Sequence, residues 1–129
     1  MKAHLDKVFG YQGNPMQLPV PDLASAIPFY ELVLGFRLQS RGHDSLPSAV
    51  LTRDQVQIGL VENGRDPSQD GCAFHVRGID ALFAEFKANG LQKDDPGFDI
   101  ERRDGVAWRV FYVIAPDGLC FWFGEQQST

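Results

Sequence analysis

The sequence predicts an α+β domain built from two tandem copies of one βαβββ module. The first observation is an internal repeat, because residues 16–36 and 72–91 each contain a short alternating apolar run followed by a helix-like segment that ends at glycine. The second is that the later parts also match, since DQVQIGLVE at residues 54–62 aligns with DGLCFWFGE at 117–125. An offset of about sixty residues, half of the chain, indicates a duplicated unit.

The first module is expected to span about residues 15–62. Asp22 suits the N-cap of its helix, and Gly35 suits the C-terminal stop. Pro28 removes a backbone hydrogen bond one turn in, so we expect it to bend the helix or shorten its regular part. Apolar residues at helical spacing should face the core: Leu23, Ile27, Tyr30 and Leu34. Strand-like runs follow at residues 37–41, 49–52 and 56–61.

The second module, about residues 71–125, is separated from the first by a polar linker at 63–70. Asp80 is predicted to cap its helix, and Gly90 to stop it. The residues expected to face inward are Leu82, Phe83 and Phe86. Its strand-like runs are residues 99–102, 107–114 and 119–124, and Ala-Pro-Asp-Gly at 115–118 predicts a tight turn between the last two.

Composition places limits on function. A chain of 129 residues, 43% hydrophobic and 22% charged, is expected to form one globular domain over residues 1–129. A net charge of -5 with no basic cluster argues against a nucleic-acid partner and weakly favours a neutral or cationic ligand. No long apolar segment occurs, so we expect a cytoplasmic protein with no membrane partner. Cys72 and Cys120 have neither disulfide-framework nor zinc-site spacing.

Two sequence motifs resemble a known superfamily. Residues 20–36 read V-x-D-L-x-x-A-I-x-F-Y-x-x-V-L-G-F, and residues 109–118 read R-x-F-x-V-x-x-P-D-G. This combination is similar to the vicinal oxygen chelate superfamily, which contains glyoxalase I, extradiol dioxygenases, fosfomycin-modifying enzymes and bleomycin-binding resistance proteins. The resemblance implies a curled, eight-stranded mixed sheet around a concave cavity, commonly within a homodimer. Ala115 departs from the usual Asp at the start of the turn.

The resemblance also implies four positions for metal ligands, on the first and last strand of each module. Metal-dependent members carry His, Gln or Glu there. In this sequence the four positions hold residues whose side chains cannot bind a metal ion: Pro15, Gly59, Gly71 and Trp122. We therefore expect neither a metal ion nor another cofactor. One alternative stays open, a displaced metal site that uses His75 together with Gln17 or Gln57.

Strand alternation predicts the lining of the cavity. Cys120 and Trp122 lie on one face of the last strand, and Phe121 and Phe123 on the other. A glycine bulge at the 115–118 turn would pair Val113 with Phe121. The face of Trp122 would then include Trp108, Val110, Tyr112 and Ile114, with Gln17, Gln57 and His75 as polar contacts. An alternative interpretation is that these aromatic residues fill a core or a dimer interface rather than line a cavity.

Other chemistry is less well supported by the sequence. Cys120 and His75 are a conceivable nucleophile and base, although a structural cysteine is commoner. Three carboxylates that are conceivable bases are more simply explained as strand ends or turns: Glu62, Asp117 and Glu125. His4 and His43 are expected at the surface.

The sequence thus predicts a metal-free protein that binds a small, planar or amphipathic organic molecule, such as an antibiotic or another aromatic metabolite. The ligand-binding residues are expected to be Trp122, Trp108, Tyr112, His75, Gln17, Gln57 and Cys120. Two other classes remain open. One is an enzyme, either a lyase, isomerase or dioxygenase with a displaced metal site or one that needs no metal. The other is a dimeric scaffold without a ligand.

Overall fold

A computed structural model describes residues 3–42, 45–92 and 98–127, so the prediction for His43 lies outside the described residues. In chain order the elements are β1 (His4–Gly10), β2 (Leu18–Pro19), α1 (Leu23–Leu32), β3 (Arg37–Gly42), β4 (Ser48–Arg53), β5 (Val56–Val61), β6 (Gly71–Arg77), α2 (Ile79–Ala88), β7 (Asp99–Arg103), β8 (Val106–Ile114) and β9 (Cys120–Gln126). The linker between β5 and β6 contains one 3-10 turn, Pro67–Gln69. Neither helix in this part of the chain is long and apolar enough to cross a membrane.

The described strands form two mixed sheets, which corrects the expectation of a single sheet of eight strands. The five-stranded sheet has the order β1-β6-β9-β8-β7, and the four-stranded sheet has the order β2-β5-β4-β3. Without β1 the two orders are equivalent, and the first and last strands of each half are parallel. β1 is not among the strands that the sequence predicts. It pairs antiparallel with β6 and so covers the backbone hydrogen-bonding groups along that edge.

Helix α1 begins as predicted. The Asp22 carboxylate accepts a hydrogen bond from the Ser25 backbone N–H at 2.9 Å, which confirms Asp22 as the N-cap. Pro28 lies inside the helix, and the regular part ends four residues later at Leu32. The predicted core face is confirmed, because Leu23, Ile27, Tyr30 and Leu34 are all buried.

Helix α2 begins differently from the prediction. Its N-cap is Gly78 rather than Asp80, and the Asp80 carboxylate instead accepts a hydrogen bond from Arg109 at 2.7 Å. Gly78 has a positive φ of 78°, which favours glycine. The backbone N–H groups of Gly78 and Ile79 donate to the two carboxylate oxygens of Glu125 at 3.1 and 3.0 Å. The cap therefore comes from a strand 46 residues away in sequence.

The first module uses the equivalent glutamate in the same way. Glu62 accepts a hydrogen bond from the Leu23 backbone N–H at 2.8 Å. In each half, a carboxylate at the end of the last strand holds the first turn of the helix, where negative charge is favourable. The structure thus gives Glu62 and Glu125 a stabilising role.

The predicted turn between β8 and β9 is confirmed, and it sets the register of the site. The Gly118 N–H donates to the Ala115 carbonyl at 2.9 Å, and Gly118 has a positive φ of 105°. Val113 pairs with Phe121 as expected. Phe111, Val113, Phe121 and Phe123 are buried in the hydrophobic core with both helices. The opposite face of β8 and β9 is therefore free of helices in the described part of the chain.

Candidate small-molecule site

The face of the five-stranded sheet opposite the helices carries an aromatic cavity of about 300 Å³. Ladder pairing brings its side chains together, since Ala73 pairs with Trp122 and Phe9 pairs with Ala73. The lining residues come from β1, β6, β9 and the β7–β8 hairpin: Phe9, Ala73, His75, Arg103, Asp104, Val106, Trp108 and Trp122. Three of the predicted ligand residues, His75, Trp108 and Trp122, are among them.

Trp122 lies on the predicted face, but its ring is not open to solvent as a ligand-binding ring would be. The residue is only 1% exposed. Its Nε1–H donates to Glu101 Oε1 at 3.1 Å, and the Arg103 guanidinium carbon lies 4.6 Å from its ring centroid. Gly124 makes room for the ring, because a Cβ there would lie 2.2 Å from Trp122 Cη2. Trp122 is therefore packed against the sheet beneath Arg103.

The accessible rings are those around His75. The centroids of His75 and Trp108 are 4.5 Å apart, and those of Phe9 and His75 are 4.9 Å apart. Phe9 is 50% exposed, whereas His75 and Trp108 are partly buried. Together these side chains present a partly desolvated aromatic surface.

Glu101 connects the buried and exposed parts of the site. Besides Trp122, it accepts a hydrogen bond from the Tyr112 hydroxyl at 2.6 Å and one from Arg103 Nη2 at 3.2 Å. Partial burial opposes its charged form, but the hydrogen bonds from Tyr112, Trp122 and Arg103 outweigh burial and lower the pKa of Glu101. Burial and the same carboxylate raise the pKa of Tyr112. At neutral pH the pair is therefore a carboxylate and a phenol donor.

His75 is neutral at neutral pH. Its pKa is lowered, first by partial burial and then by the positive charges of Lys7 and Arg103, while Asp6 acts in the opposite direction. Cys120 lies on the same face, but along the β6–β9 ladder it is four positions from the partner of His75. Four positions correspond to about 13 Å. The structure therefore does not bring Cys120 and His75 together as nucleophile and base.

The two predicted glutamines lie elsewhere. Gln57 belongs to the four-stranded sheet, where its side-chain N–H donates to Gln39 Oε1 at 2.7 Å. Gln17 lines a separate cavity of about 350 Å³ with Met16, Ser48 and Val61 among others. Within the described residues, neither glutamine lines the cavity of His75.

The positions of metal ligands do not fit a metal centre. A Cβ on Gly71 would lie 1.8 Å from the Cys120 carbonyl oxygen, and one on Gly59 would lie 2.2 Å from the Met16 carbonyl oxygen. Backbone thus occupies the space that a ligand side chain would need. Among residues 3–42, 45–92 and 98–127, no group of three or more His, Cys, Asp or Glu side chains is arranged to hold a metal ion.

Four residues of the site are not identified by sequence reasoning: Phe9, Glu101, Arg103 and Gly124. Phe9 belongs to the unpredicted strand β1. Glu101 and Arg103 are two positions apart in β7, so strand alternation predicts that they share a face. That face can be assigned to the cavity only once the pairing of β7 with β8 is known.

Comparison with known proteins agrees with this fold. The sequence matches the Glyoxalase/Bleomycin resistance protein/Dioxygenase superfamily over residues 12–123. The chain belongs to this superfamily. No curated protein is significantly similar to it in sequence.

Several proteins of known structure share the fold at low sequence identity. A virulence protein from Salmonella typhimurium is 20% identical with a TM-score of 0.68, over 87% of this chain and 94% of its own. The bleomycin resistance determinant encoded on the transposon Tn5 is 21% identical with a TM-score of 0.65, over 88% and 96%. The bleomycin-binding protein from Streptomyces verticillus, solved with copper(II)-bleomycin, is 20% identical with a TM-score of 0.64, over 87% and 93%. These similarities establish the fold and leave the ligand open.

Proposed function

We propose that this chain binds a planar or amphipathic organic molecule in the aromatic cavity of the five-stranded sheet, without a metal ion. The observation that carries the proposal is the group of accessible rings, in which His75 lies 4.5 Å from Trp108 and 4.9 Å from Phe9. Aromatic walls with few polar groups suit ligands of this class. The bleomycin-binding relative, which was solved with its ligand, supports a binding role.

The packing at the metal positions supports the metal-free part of the proposal. Gly59 and Gly71 have no room for a ligand side chain. Lys7 and Arg103 carry the positive charges that act on His75, and these charges also oppose the binding of a cation beside that ring. Elemental analysis of the purified protein tests this directly. One tightly held transition metal per chain that is lost in His75→Ala would contradict it.

Thermal-shift screening against antibiotics and planar aromatic metabolites tests the binding role, because a ligand that binds only the folded state raises Tm. For each compound that stabilises the protein, Trp108→Leu should weaken binding by about 1–3 kcal/mol, as expected for the loss of an aromatic anchor. Phe29→Leu is the matched control, since Phe29 is a partly buried aromatic residue on α1, away from the cavity. Equal affinity of the two variants would place the ligand elsewhere. If no compound stabilises the chain, the scaffold alternative gains support.

An enzyme is the second candidate, favoured by His75 itself. A neutral imidazole beside an aromatic cavity is suited to accept a proton from a bound substrate. Such an activity would be a lyase or isomerase reaction that needs no metal. Liquid chromatography with mass spectrometry of each stabilising compound after incubation with the protein separates the two functions, because chromatography also distinguishes isomers of equal mass. Unchanged compound supports binding alone, and conversion that disappears in His75→Gln supports the enzyme.

A further inference from the structure

Two cationic side chains border the aromatic cavity on either side of His75. Arg103 lines the cavity, and its side chain is 53% exposed. Lys7 pairs with His75 in the β1–β6 ladder and lines an adjoining cavity of about 260 Å³. The two cavities share His75 and Trp108. A ligand stacked on Trp108 would therefore lie between two positive charges.

Most of the neighbouring carboxylates are already engaged by other groups. Asp6 accepts hydrogen bonds from Arg77 through both oxygens, at 2.8–3.1 Å. Glu125 holds the first turn of α2, and Glu101 accepts from Tyr112 and Trp122 as well as from Arg103. Asp104, an exposed residue at the β7–β8 turn, is the one carboxylate among the residues described as lining the aromatic cavity. Because solvent screens the Asp104 charge at this turn, its electrostatic repulsion of an anionic ligand is weakened.

The arginine keeps hydrogen-bonding capacity for a ligand. Its hydrogen bonds to Glu101, at 3.3 and 3.2 Å, use one donor on Nε and one on Nη2, out of the five N–H donors of a guanidinium. Partial burial, and then the positive charges of Lys7 and Arg103, lower the pKa of His75, while Asp6 acts in the opposite direction. Two cationic side chains therefore lie beside the aromatic cavity although the whole chain carries a net charge of -5.

We propose that the cavity selects planar aromatic ligands that carry a carboxylate, with the ring against Trp108 and Phe9 and the carboxylate on Arg103. This inference rests on the proposed function and names the ligand class of the same site. A guanidinium group suits carboxylate recognition because its planar array of donors matches the two oxygens. The local arrangement therefore outweighs the weak preference for a neutral or cationic ligand that net charge suggests.

Calorimetric titration of the full chain with three probes of similar shape tests the charge preference. The probes are 2-naphthoate, 2-naphthamide and 2-naphthylmethylammonium. We expect 2-naphthoate to bind about tenfold more tightly than the amide, with the ammonium weakest, because charge-assisted hydrogen bonds are about twice as strong as neutral ones. The preference should decrease at high salt.

Two substitutions in β7 assign the preference to one residue. Arg103→Gln should reduce the ratio of naphthoate to naphthamide affinity to about twofold or less, while Arg103→Lys should keep part of it. Arg102→Gln is the matched control, because Arg102 is the exposed neighbour on the opposite face of the strand. It should leave the ratio unchanged. Binding of the amide by Arg103→Gln verifies that the cavity persists.

The outcomes separate this inference from the proposed function. Equal affinity for all three probes, or an Arg103→Gln ratio equal to that of the wild type, overturns the carboxylate selectivity and leaves aromatic binding in place. Failure of all three probes to bind at millimolar concentration overturns both, because the aromatic surface would then not hold a planar ring. Loss of amide binding in Arg103→Gln but not in Arg103→Lys would show that Arg103 supports the cavity through Trp122, and this also overturns the selectivity.

Discussion

Gly71 provides a direct test of whether a side chain fits at one of the four positions that hold metal ligands in metal-dependent members of the superfamily. Its φ is +146°, and a Cβ at this position would lie 1.8 Å from the Cys120 carbonyl oxygen across the β6–β9 ladder. Gly64 is a matched control, because it also has a positive φ, +78°, but a Cβ there would meet nothing within 4 Å. Comparing Gly71→Ala with Gly64→Ala therefore separates backbone strain from steric overlap.

The magnitudes follow from these two terms. Gly64→Ala places alanine near the left-handed helical region, which costs about 1–2 kcal/mol for a residue with a Cβ. The φ of +146° at Gly71 lies in a region almost restricted to glycine, where the cost is about 1–3 kcal/mol. Only Gly71→Ala must also move β6 away from β9, and overpacking of this kind costs about a further 1–3 kcal/mol. We expect the free energy of unfolding to fall by about 2–6 kcal/mol for Gly71→Ala and by about 1–2 kcal/mol for Gly64→Ala.

Guanidinium denaturation followed by tryptophan fluorescence measures both values. Equal destabilisation of the two variants would refute the steric argument and would reopen Gly71 as a position for a ligand side chain. The expected difference would mean that Gly71→His cannot restore a metal ligand without separating the two strands.

Three further predictions concern the packing, the charge and the assembly of the site. Trp122→Ala should reduce stability by about 3–5 kcal/mol, as much as Phe123→Ala, because both rings are essentially unexposed. The stability advantage of the wild type over Glu101→Gln should be complete above pH 4.5, the ordinary pKa of the carboxyl, and should decline as the pH falls through the lowered pKa of the folded state. Light scattering should give twice the chain mass of 14.4 kDa, since the open face exposes Phe9 at 50% and Ile114 at 72%.

Each of these predictions has a control and a contrary result. A loss below about 1 kcal/mol for Trp122→Ala would restore the interpretation of Trp122 as an open ligand platform. Glu31→Gln, at an exposed position, is the control for the pH experiment. If the difference in stability between the wild type and Glu101→Gln does not change between pH 6 and pH 3, the hydrogen-bonded network around an anionic Glu101 is contradicted. Ile114→Arg should dissociate the dimer, whereas Ile100→Arg, in an edge strand and 64% exposed, should not. A monomeric wild type would contradict the assembly.

Local sequence patterns predicted both helices, the facing of β8 and β9, and the strands other than β1. The spacing of Leu23, Ile27 and Tyr30 predicted the buried face of α1, and alternation with the Ala115–Gly118 turn predicted the pairing of Val113 with Phe121. These features depend on residues within a few positions of one another, so their physical causes are readable in the chain. The residue types at Pro15, Gly59, Gly71 and Trp122 predicted the lack of metal ligands, and this stays a prediction. The structure adds that backbone would overlap a Cβ at Gly59 or Gly71.

The tertiary structure alone decided how distant segments meet. The addition of β1 to β6 brings Phe9 to His75, and the end of β9 brings Glu125 to the start of α2. Trp122 is buried because Gly124 leaves space above the sheet and because Arg103 lies over its ring. Each of these contacts depends on strand order and on side-chain volume across the sheet, since alternation assigns a side chain to a face but not to a neighbour. The sequence could therefore indicate an aromatic face. The exposure of Phe9, the burial of Trp122 and the position of Arg103 over the Trp122 ring depended on packing.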